Sequence, residues 1–390
     1  MKFANTSIPC HIIRGGTSKG VFFKENEIPS PGPERDRFIL RAFGSPDARQ
    51  IDGLGGANSL TSKVAIMGVS ARPDADVDYT FGQVSFAASV IDWKGNCGNI
   101  SSAAALYAVD MNMVKPVEPF TTVRIYNTNT DKIIRAKVPV KNGKTVSAGN
   151  YAIPGVPGTG AKITLDFLSP AGSVTKKLLP TGNVVDTVDL GEKGTFEVSV
   201  IDAANPVVFL KAEQLGLKGT ELPTEVEGMP KTLALIEEIR SIIAERVGIV
   251  ADRSEATKKS PAIPKIGFVS PAQDFVNPDG VLVHKEDMDL CARLCSMQKM
   301  HRAYMVTGGV CTGAASKIKG SVVWQMMSEK ARAKDVLNIG HPYGIMDVDV
   351  HLNDAETYDE EFVESVGVGR TARVILEGRV YVPAEIFDEE

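Results

Sequence analysis

The amino-acid sequence predicts an α+β protein made of two similar domains, and three observations support this prediction. The chain has 390 residues, which is more than one hydrophobic core usually supports. Short runs rich in β-branched and aromatic residues are separated by Gly, Pro and Asn clusters, while helical periodicity is confined to fewer segments. Finally, two segments of the first half have counterparts in the second half, in the same order.

Strands account for most of the predicted secondary structure, because turn-forming residues bound many short apolar runs. The runs that predict strands are, in chain order, GVFF, KVAIMGV, TVRIYN, IIRAKVPV, FEVSVI, PVVFLKA, KIGFVS and RVILEGRVYVP. In the last run, the pair Glu377–Gly378 predicts a hairpin turn.

Two segments predict helices. In KTLALIEEIRSIIAERVGI the apolar residues recur with helical spacing and form one stripe, which comprises Leu235, Ile236, Ile239, Ile242, Ile243 and Val247. The alanine-rich segment NISSAAALYAVDMN predicts a second, buried helix. This mixture favours helices packed inside or against curved sheets.

The internal repeat consists of two short matches. Residues 12–28 resemble residues 200–216, since each segment reads as a strand, a turn of small residues, and an apolar run followed by Lys and acidic residues. GNCGNISSAAAL resembles GGVCTGAASKI, which aligns Cys97 with Cys311. Chance similarity is the alternative, because both matches are short. A duplicated domain would place the active site in the cleft between the two halves.

Composition excludes several classes of protein. The formal net charge is −5, whereas a nucleic-acid-binding protein normally has a basic face. No apolar run is long enough to span a bilayer, and the first residues lack the basic and apolar regions of a secretion signal. We therefore expect a cytoplasmic protein that binds neither nucleic acid nor a membrane.

The five cysteines fit a reduced cytoplasmic protein better than a disulfide framework, because their number is odd and their spacing irregular. Cys291 and Cys295 lie four residues apart beside Met288 and Leu294. This spacing predicts that both thiols lie on the apolar face of a helix and pack in the core. The alternative is a zinc site, but no second Cys or His pair has matching spacing.

Cys97 is a candidate reactive thiol. The sequence WKGNCGNISSA places it between two Gly-Asn pairs at the predicted start of the alanine-rich helix. The positive end of the helix dipole and the free N–H groups of the first turn favour a thiolate. The same N–H groups can bind a substrate carboxylate. The alternative is a buried structural cysteine.

Two further segments could bind an anion or supply a base. RGGTSKG can form a turn whose N–H groups bind an anion, although an ordinary glycine turn fits the segment equally well. In GGANSLTSK, Lys63 lies between a polar loop and an apolar strand. Desolvation there would lower its pKa and make the neutral amine available as a base. By itself, Lys63 could equally extend from the strand end into solvent.

His301 and Lys265 are weaker candidates. In MQKMHRAYMVTGG the sequence predicts that His301 follows a helix, where it could orient a carboxylate or hold the partner of a thiol in position. Lys265 lies between apolar neighbours in a predicted strand, where it could pair with an anion or point outward. The sequence has no G-x-S-x-G nucleophile motif, which argues against a serine hydrolase.

Several of these segments together resemble a known family. They are RGGTSKGVFF, IDGLGGANSLTSK, VDYTFGQVS, WKGNCGNISSA, LPTGNVVD and GTEL. The chain resembles the methylaconitate isomerase group of the diaminopimelate-epimerase-like superfamily over nearly its whole length. This resemblance implies two similar epimerase-like domains, residues 1–185 and residues 186–390, each with a curved sheet around a central helix and with the active site in the cleft.

The resemblance also implies an activity and a set of site residues. The family moves a proton between carbons of an unsaturated di- or tricarboxylate without a metal or other cofactor. The family's catalytic positions match Lys63, Cys97 and His301. The carboxylate-binding positions match Ser18, Ser59, Thr61, Ser62, Gly98, Asn99 and Lys265. No role is assigned to Cys311, because this branch of the family usually has a small residue there.

The substrate implied by the resemblance is 3-methylitaconate, which would be isomerised to dimethylmaleate; methylaconitate and 4-oxalomesaconate are the alternatives. Two other functional classes compete with this reading. A racemase or epimerase would share the fold but return the proton to the same carbon. A non-catalytic dicarboxylate-binding protein would share the anion-binding loops but would not need Lys63. We also expect the protein to be a homo-oligomer.

Overall fold

The computed structural model describes residues 5–355 and 357–387. Within them the chain forms two compact units: the first contains residues up to Ala152, residues 158–165 and the chain from Arg370 onward, and the second contains residues 153–157 and 166–369. This division differs from the expected boundary at residues 185 and 186. Residues 166–185 belong to the second unit, and the C-terminal strand belongs to the first.

Strands dominate both units. In chain order they are β1 (Asn5–Gly15), β2 (Ser18–Lys24), β3 (Lys63–Val69), β4 (Val77–Val84), β5 (Ile91–Asp92), β6 (Phe120–Asn127), β7 (Lys132–Lys141), β8 (Lys144–Thr145), β9 (Tyr151–Ala152), β10 (Thr159–Gly160), β11 (Ile163–Leu168), β12 (Asp186–Asp189), β13 (Thr195–Ala203), β14 (Asn205–Lys211), β15 (Lys265–Pro271), β16 (Phe275–Val276), β17 (Leu282–Val283), β18 (Leu290–Ser296), β19 (Lys299–Met300), β20 (Val336–His341), β21 (Gly344–Leu352), β22 (Val363–Arg370) and β23 (Ala372–Pro383).

The α-helices in the described part of the chain are fewer. They are α1 (Pro33–Phe43), α2 (Gly98–Asp110), α3 (Pro223–Glu227), α4 (Pro230–Arg246), α5 (Ala256–Lys259), α6 (Val306–Lys317), α7 (Val322–Gln325) and α8 (Glu329–Arg332). None of these helices is long and apolar enough to cross a membrane.

The sheet of the first unit has the strand order β23–β1–β2–β3–β4–β6–β7. The pairs β2/β3 and β4/β6 are parallel and the other neighbours are antiparallel. Successive side chains of a strand point to opposite faces, so β2 buries Phe22 against Tyr107 of α2, while Val21 and Phe23 pack with α1. The sheet therefore carries α2 on one face and α1 on the other.

The sheet of the second unit repeats this plan with the order β12–β13–β14–β15–β18–β20–β21–β22. Its parallel pairs are β14/β15 and β18/β20. The buried helix α6 contacts β13, β14, β20 and β21. On the other face, Ile236, Ile239 and Ile243 of α4 join the hydrophobic core. The apolar stripe predicted for this helix is thus confirmed.

The two units correspond element by element. The hairpin β1–β2 corresponds to β13–β14, β3 to β15, β4 to β18, β5 to β19, α2 to α6, and β6–β7 to β20–β21. A short 3-10 helix follows each hairpin, at Glu25–Glu27 and at Ala212–Leu215. The first sequence match, of residues 12–28 with residues 200–216, is therefore confirmed as a structural repeat.

Two local predictions were wrong. Cys291 and Cys295 lie on strand β18 and not on a helix. Residues four apart share one face in a strand as well as in a helix, so the spacing could not distinguish the two. The predicted hairpin at Glu377–Gly378 is also absent, since both residues lie within β23, where Gly378 pairs with Cys10 of β1. The long partner strand stabilises a continuous strand through this position.

Core packing of the β18 thiols is confirmed, and it predicts a stability effect. Cys295 is 4% exposed within the core that α4 covers, and burial raises its pKa to about 12. We expect Cys295→Ala to lower the free energy of unfolding by about 1 kcal/mol or more, as measured by urea denaturation. Cys97→Ala, at a cysteine that is only partly buried, is the matched control. Equal losses in the two variants would contradict the core assignment.

Candidate active site

Cys97 occupies the residue that precedes the first turn of α2. Its backbone is extended (φ −123°, ψ 98°), and its carbonyl oxygen accepts the hydrogen bond from Ser101 N at 2.9 Å that starts the helix. The thiol is partly exposed, whereas the other four cysteines are buried. The Gly and Asn residues of the preceding loop allow the sharp change of direction between β5 and the helix. Cys97 is therefore the accessible thiol of the chain.

The first turn of α2 offers hydrogen-bond donors to an anion. The first N–H groups of a helix have no acceptor within the helix, and the Cys97 side chain accepts no capping hydrogen bond. The N–H groups of Gly98 and Asn99 belong to this turn. Together with the helix dipole, they favour a bound carboxylate at this end of the helix.

Lys63 lies beside Cys97 although it begins the neighbouring strand β3. Its side chain is 7% exposed, and Nζ donates a hydrogen bond to Gln83 Oε1 at 2.7 Å. Burial lowers the pKa of Lys63, while the charge of a Cys97 thiolate and a hydrogen bond to that side chain oppose this shift. Nζ also lies 5.1 Å from the centre of the Phe81 ring. The structure thus brings together an amine and a thiol that can exchange a proton.

The turn between β1 and β2 packs directly on the start of α2. A Cβ atom at Gly15 would lie 2.2 Å from Asn99 O, and one at Gly16 would lie 2.0 Å from Asn99 Oδ1. Gly16 also has a positive φ of 50°. Asn99 Nδ2 donates to Thr17 Oγ1 at 3.0 Å. Glycine is required at positions 15 and 16 because any side chain there would collide with Asn99.

The side chain of Asn99 is committed to this turn and to an arginine. Its Oδ1 accepts from Arg370 Nε at 3.1 Å and from Thr17 N at 3.4 Å. Its backbone N–H is therefore the group that can face a ligand. Sequence reasoning missed Arg370, because nothing local marks a residue that lies 271 positions from its partner.

A second arginine supports the same turn. Arg14 Nη1 donates to Gly16 O at 3.0 Å and to Thr371 O at 2.9 Å. Burial lowers the pKa of Arg14, and the nearby charge of Arg373 lowers it further. Arg14 belongs to the motif RGGTSKG, so a prediction could have found it. The guanidinium groups of Arg14 and Arg370 add positive charge around the start of α2, which favours an anionic ligand.

Ser18 provides a donor that the protein itself does not use. Its side chain is 3% exposed, and among the described residues its Oγ has no hydrogen-bond partner. A buried hydroxyl without a partner is unfavourable by about 1–3 kcal/mol. A ligand carboxylate that accepted this hydrogen bond would remove the cost.

The polar loop before Lys63 divides into residues that hold the loop and one that does not. Ser62 Oγ donates to Val84 O at 2.9 Å and accepts from Gln50 Nε2 at 2.8 Å. Thr61 Oγ1 donates to Gly56 O at 2.8 Å. Ser59 is only half-buried. The hydroxyl hydrogens of Thr61 and Ser62 are therefore used inside the loop.

Lys265 and His301 belong to the second unit. Lys265 is 6% exposed and begins β15, as Lys63 begins β3; its Nζ donates to Ala262 O at 3.3 Å. His301 is 6% exposed, and its Nδ1 accepts from Ala303 N at 3.2 Å. The prediction that His301 follows a helix is wrong, because His301 lies between strand β19 and helix α6.

The repeat also identifies the counterpart of Cys97, and it is not Cys311. Cys97 is the fifth residue after β5 and directly precedes α2; Met305 is the fifth residue after β19 and directly precedes α6. Met305 O accepts the first helical hydrogen bond from Gly309 N at 2.8 Å. The second sequence match was therefore out of register.

Cys311 instead lies inside α6. Its side chain is fully buried, Sγ donates to Ile201 O at 3.3 Å, and burial raises its pKa. A thiol with a raised pKa in the middle of a buried helix is a poor nucleophile or base. The surroundings of Cys311 are therefore those of a cysteine that packs in the core.

The packing of the glycine turn predicts the effect of a single methyl group. Gly16→Ala should lower the free energy of unfolding by about 1–3 kcal/mol and reduce turnover, because the new Cβ would displace Asn99. Gly143→Ala is the control: Gly143 has a φ of 70° but no atom near its Cβ position, so it reports backbone strain alone. Urea denaturation of both variants measures the difference, and equal losses would contradict the proposed contact.

The environments of the two thiols predict different catalytic effects. Cys97→Ser should remove most turnover, whereas Cys311→Ala should keep at least about a tenth of it, a change within about 1.4 kcal/mol of barrier. Steady-state kinetics of both variants tests this, with circular dichroism to establish that each one folds. A loss at Cys311 as severe as that at Cys97, in a folded protein, would show that both thiols take part.

Comparisons with known proteins show which proteins the chain is similar to. The chain is 47% identical over 376 residues to a 3-methylitaconate isomerase of Eubacterium barkeri, covering 96% of this chain and 97% of the relative. It is 39% identical over 394 residues to a 2-methyl-aconitate isomerase of Cupriavidus necator, covering 97% and 98%.

A solved structure supports the same assignment. The crystal structure of a methylitaconate-delta-isomerase is 46% identical and superimposes with a TM-score of 0.79, covering 99% of this chain and 98% of that chain. The expected α+β, diaminopimelate-epimerase-like fold with two similar units is confirmed. The protein is an isomerase. The PrpF protein family matches residues 5–383, and the chain therefore belongs to the PrpF family.

Proposed function

We propose that the protein is an allylic isomerase that converts 3-methylitaconate to dimethylmaleate without a cofactor. The observation that carries this proposal is the contact of the buried amine of Lys63 with the thiol of Cys97 at the start of α2. The similarity to the Eubacterium barkeri relative supports the choice of substrate. Anionic substrates suit the positive charge and free N–H groups around this helix end.

The substrate carboxylates would bind where donors are available. We assign one carboxylate to the N–H groups of Gly98 and Asn99 and to Ser18 Oγ, which lacks a partner among the described residues. Ser59 can add a further donor from the polar loop. Because Thr61 and Ser62 use their hydroxyl hydrogens inside the loop, we assign them the role of holding it in place.

The reaction requires one base and one acid. A base removes the proton from the carbon that bears the methyl group, and the electron pair delocalises over the double bond and the carboxylate. An acid then protonates the methylene carbon, which becomes the second methyl group of dimethylmaleate. Stabilising the dienolate is essential, because a proton next to a carboxylate is weakly acidic.

Lys63 and Cys97 can share these two roles in either order. An amine paired with a thiol provides a base and an acid, and so does a thiolate paired with an ammonium group. Burial lowers the pKa of Lys63, which brings the neutral amine closer to physiological pH than in an exposed lysine. The family resemblance supports two further assignments. We propose that His301 stabilises the negative charge of the dienolate and that Lys265 binds a substrate carboxylate.

Isotope labelling in D2O distinguishes this function from its competitors. With 3-methylitaconate we expect deuterium in the new methyl group of dimethylmaleate, and NMR detects this label. 2-Methylaconitate and 4-oxalomesaconate are parallel substrates in the panel, and faster turnover of either would reassign the substrate. Deuterium only at the original carbon would indicate an epimerase. Binding without any label would indicate a non-catalytic binding protein.

The same assay tests the proposed pair. Lys63→Ala and Cys97→Ser should each lose most of the labelling while keeping the fold, and Cys311→Ala is the matched control. Wild-type labelling in folded Lys63→Ala would remove the lysine from the mechanism.

A cytoplasmic location and a homo-oligomeric state stay predictions. Light scattering measures the oligomeric state.

A further inference from the structure

Among the described residues, the buried amine of Lys63 has an oxygen acceptor on the adjacent strand. Lys63 and Gln83 are directly paired residues of β3 and β4, and Nζ donates to Gln83 Oε1 at 2.7 Å. Gln83 is itself only 6% exposed, so water does not readily replace this bond. Gln83 lies in the segment VDYTFGQVS that contributes to the family resemblance, but the sequence alone assigned it no role.

The orientation of the Gln83 amide is determined by its other end. Its Nε2 donates to Ser62 O at 2.9 Å, the carbonyl of the residue before Lys63. A carbonyl oxygen accepts only, so the amide nitrogen must face Ser62 and the amide oxygen must face Lys63. Gln83 thus bridges the backbone and the side chain of two consecutive residues, which restricts where Nζ can lie.

Among the described groups around Nζ, Cys97 is the one whose charge can balance the ammonium charge of Lys63. The described neighbours on β4 are Gln83 and the ring of Phe81, both uncharged. From α2, the facing titratable group is the Cys97 thiol. Beyond it, the hydroxyl of Tyr79 donates to Cys97 O at 3.4 Å, and burial raises the pKa of this tyrosine. A carboxylate at position 83 would pair with the ammonium group permanently, whereas an amide oxygen accepts from both the ammonium and the amine form.

We propose that Gln83 is a positioning residue for the proposed reaction: its amide oxygen holds Lys63 Nζ against Cys97 and, because it is uncharged, lets the amine take up and release a proton in each turnover. The proposal rests on the proposed function of the Lys63–Cys97 pair. It makes Gln83 a determinant of proton transfer that acts through Lys63.

Two substitutions at position 83 should act on Lys63 in opposite directions. Gln83→Glu stabilises the ammonium form, so the limb of the pH profile of kcat/KM that Lys63 controls should move to higher pH. Gln83→Met removes the acceptor at similar volume, so the same limb should move to lower pH. The signs hold whether Lys63 acts as base or as acid. At a fixed pH on the limb, Gln83→Glu should change kcat/KM by about tenfold or more, since a nearby opposite charge moves a pKa by about one unit or more.

Gln50→Met is the matched control. Gln50 is also buried and also bonds to Ser62, so its loss disturbs the loop without removing a bond to Lys63. We expect Gln50→Met to leave the pH limb in place, whatever it does to kcat and KM. Limbs that do not move in the Gln83 variants, or that move in the same direction, would overturn the proposal. If Gln83→Glu does not fold, the direction of the Gln83→Met limb decides alone.

A measurement without substrate separates this proposal from the proposed function. Cys97 is the partly exposed thiol, so iodoacetamide should label it first, and mass spectrometry locates the label. Gln83→Met should slow this alkylation. Without the amide acceptor the ammonium form of Lys63 is less stable, and its positive charge is what favours the reactive thiolate of Cys97. In a Lys63→Met background the same change should have little further effect. Additive effects would show that Gln83 does not act through Lys63, even if the protein proves inactive on every substrate of the panel.

Discussion

The complete burial of α2 is the constraint on which the rest of the first unit depends. Every residue from Gly98 to Val109 is buried, and the small side chains of this segment let the surrounding strands approach closely. A helix enclosed in this way still has N–H groups at its first turn that need acceptors. The glycine turn between β1 and β2 covers one side of that turn and leaves the side of Cys97 partly open. The anion position that we propose at this helix end is thus a consequence of how the helix is enclosed.

Placing a lysine beside this helix end has an energetic consequence. A buried ammonium group is strongly unfavourable unless it is neutralised or hydrogen-bonded, and Lys63 meets this demand with one amide oxygen and one thiol. A carboxylate in place of the amide would favour the ammonium form and hold its proton. The site therefore combines enough interaction to bury the amine with too little to lock its charge, as is typical of groups that transfer protons.

The residues show why some features could be predicted and others could not. Strand and helix positions followed from local patterns, and the stripe of α4 and the strand β3 were predicted correctly. Cys291 and Cys295 were misassigned because a spacing of four has the same meaning in a strand and in a helix. Cys311 was aligned with Cys97 by sequence letters, whereas backbone position assigns that place to Met305. Arg370 was missed because its contact with Asn99 joins distant segments, which no local pattern encodes. The segment of Gln83 was noted for its family resemblance, but its contact with Lys63 on the paired strand is visible only in the structure.

The position of β23 has a consequence for how the protein is made. This strand pairs with β1 from Asn5↔Pro383 to Gly15↔Ala372, so the first unit receives an essential strand from the opposite end of the chain. β1 leaves the ribosome before the second unit has been synthesised, whereas β23 emerges only after it. The second unit, largely continuous from 166 to 369, can acquire its contacts sooner. Pairings of such long sequence separation are slow to form, and an unpaired strand edge is a site at which chains can associate.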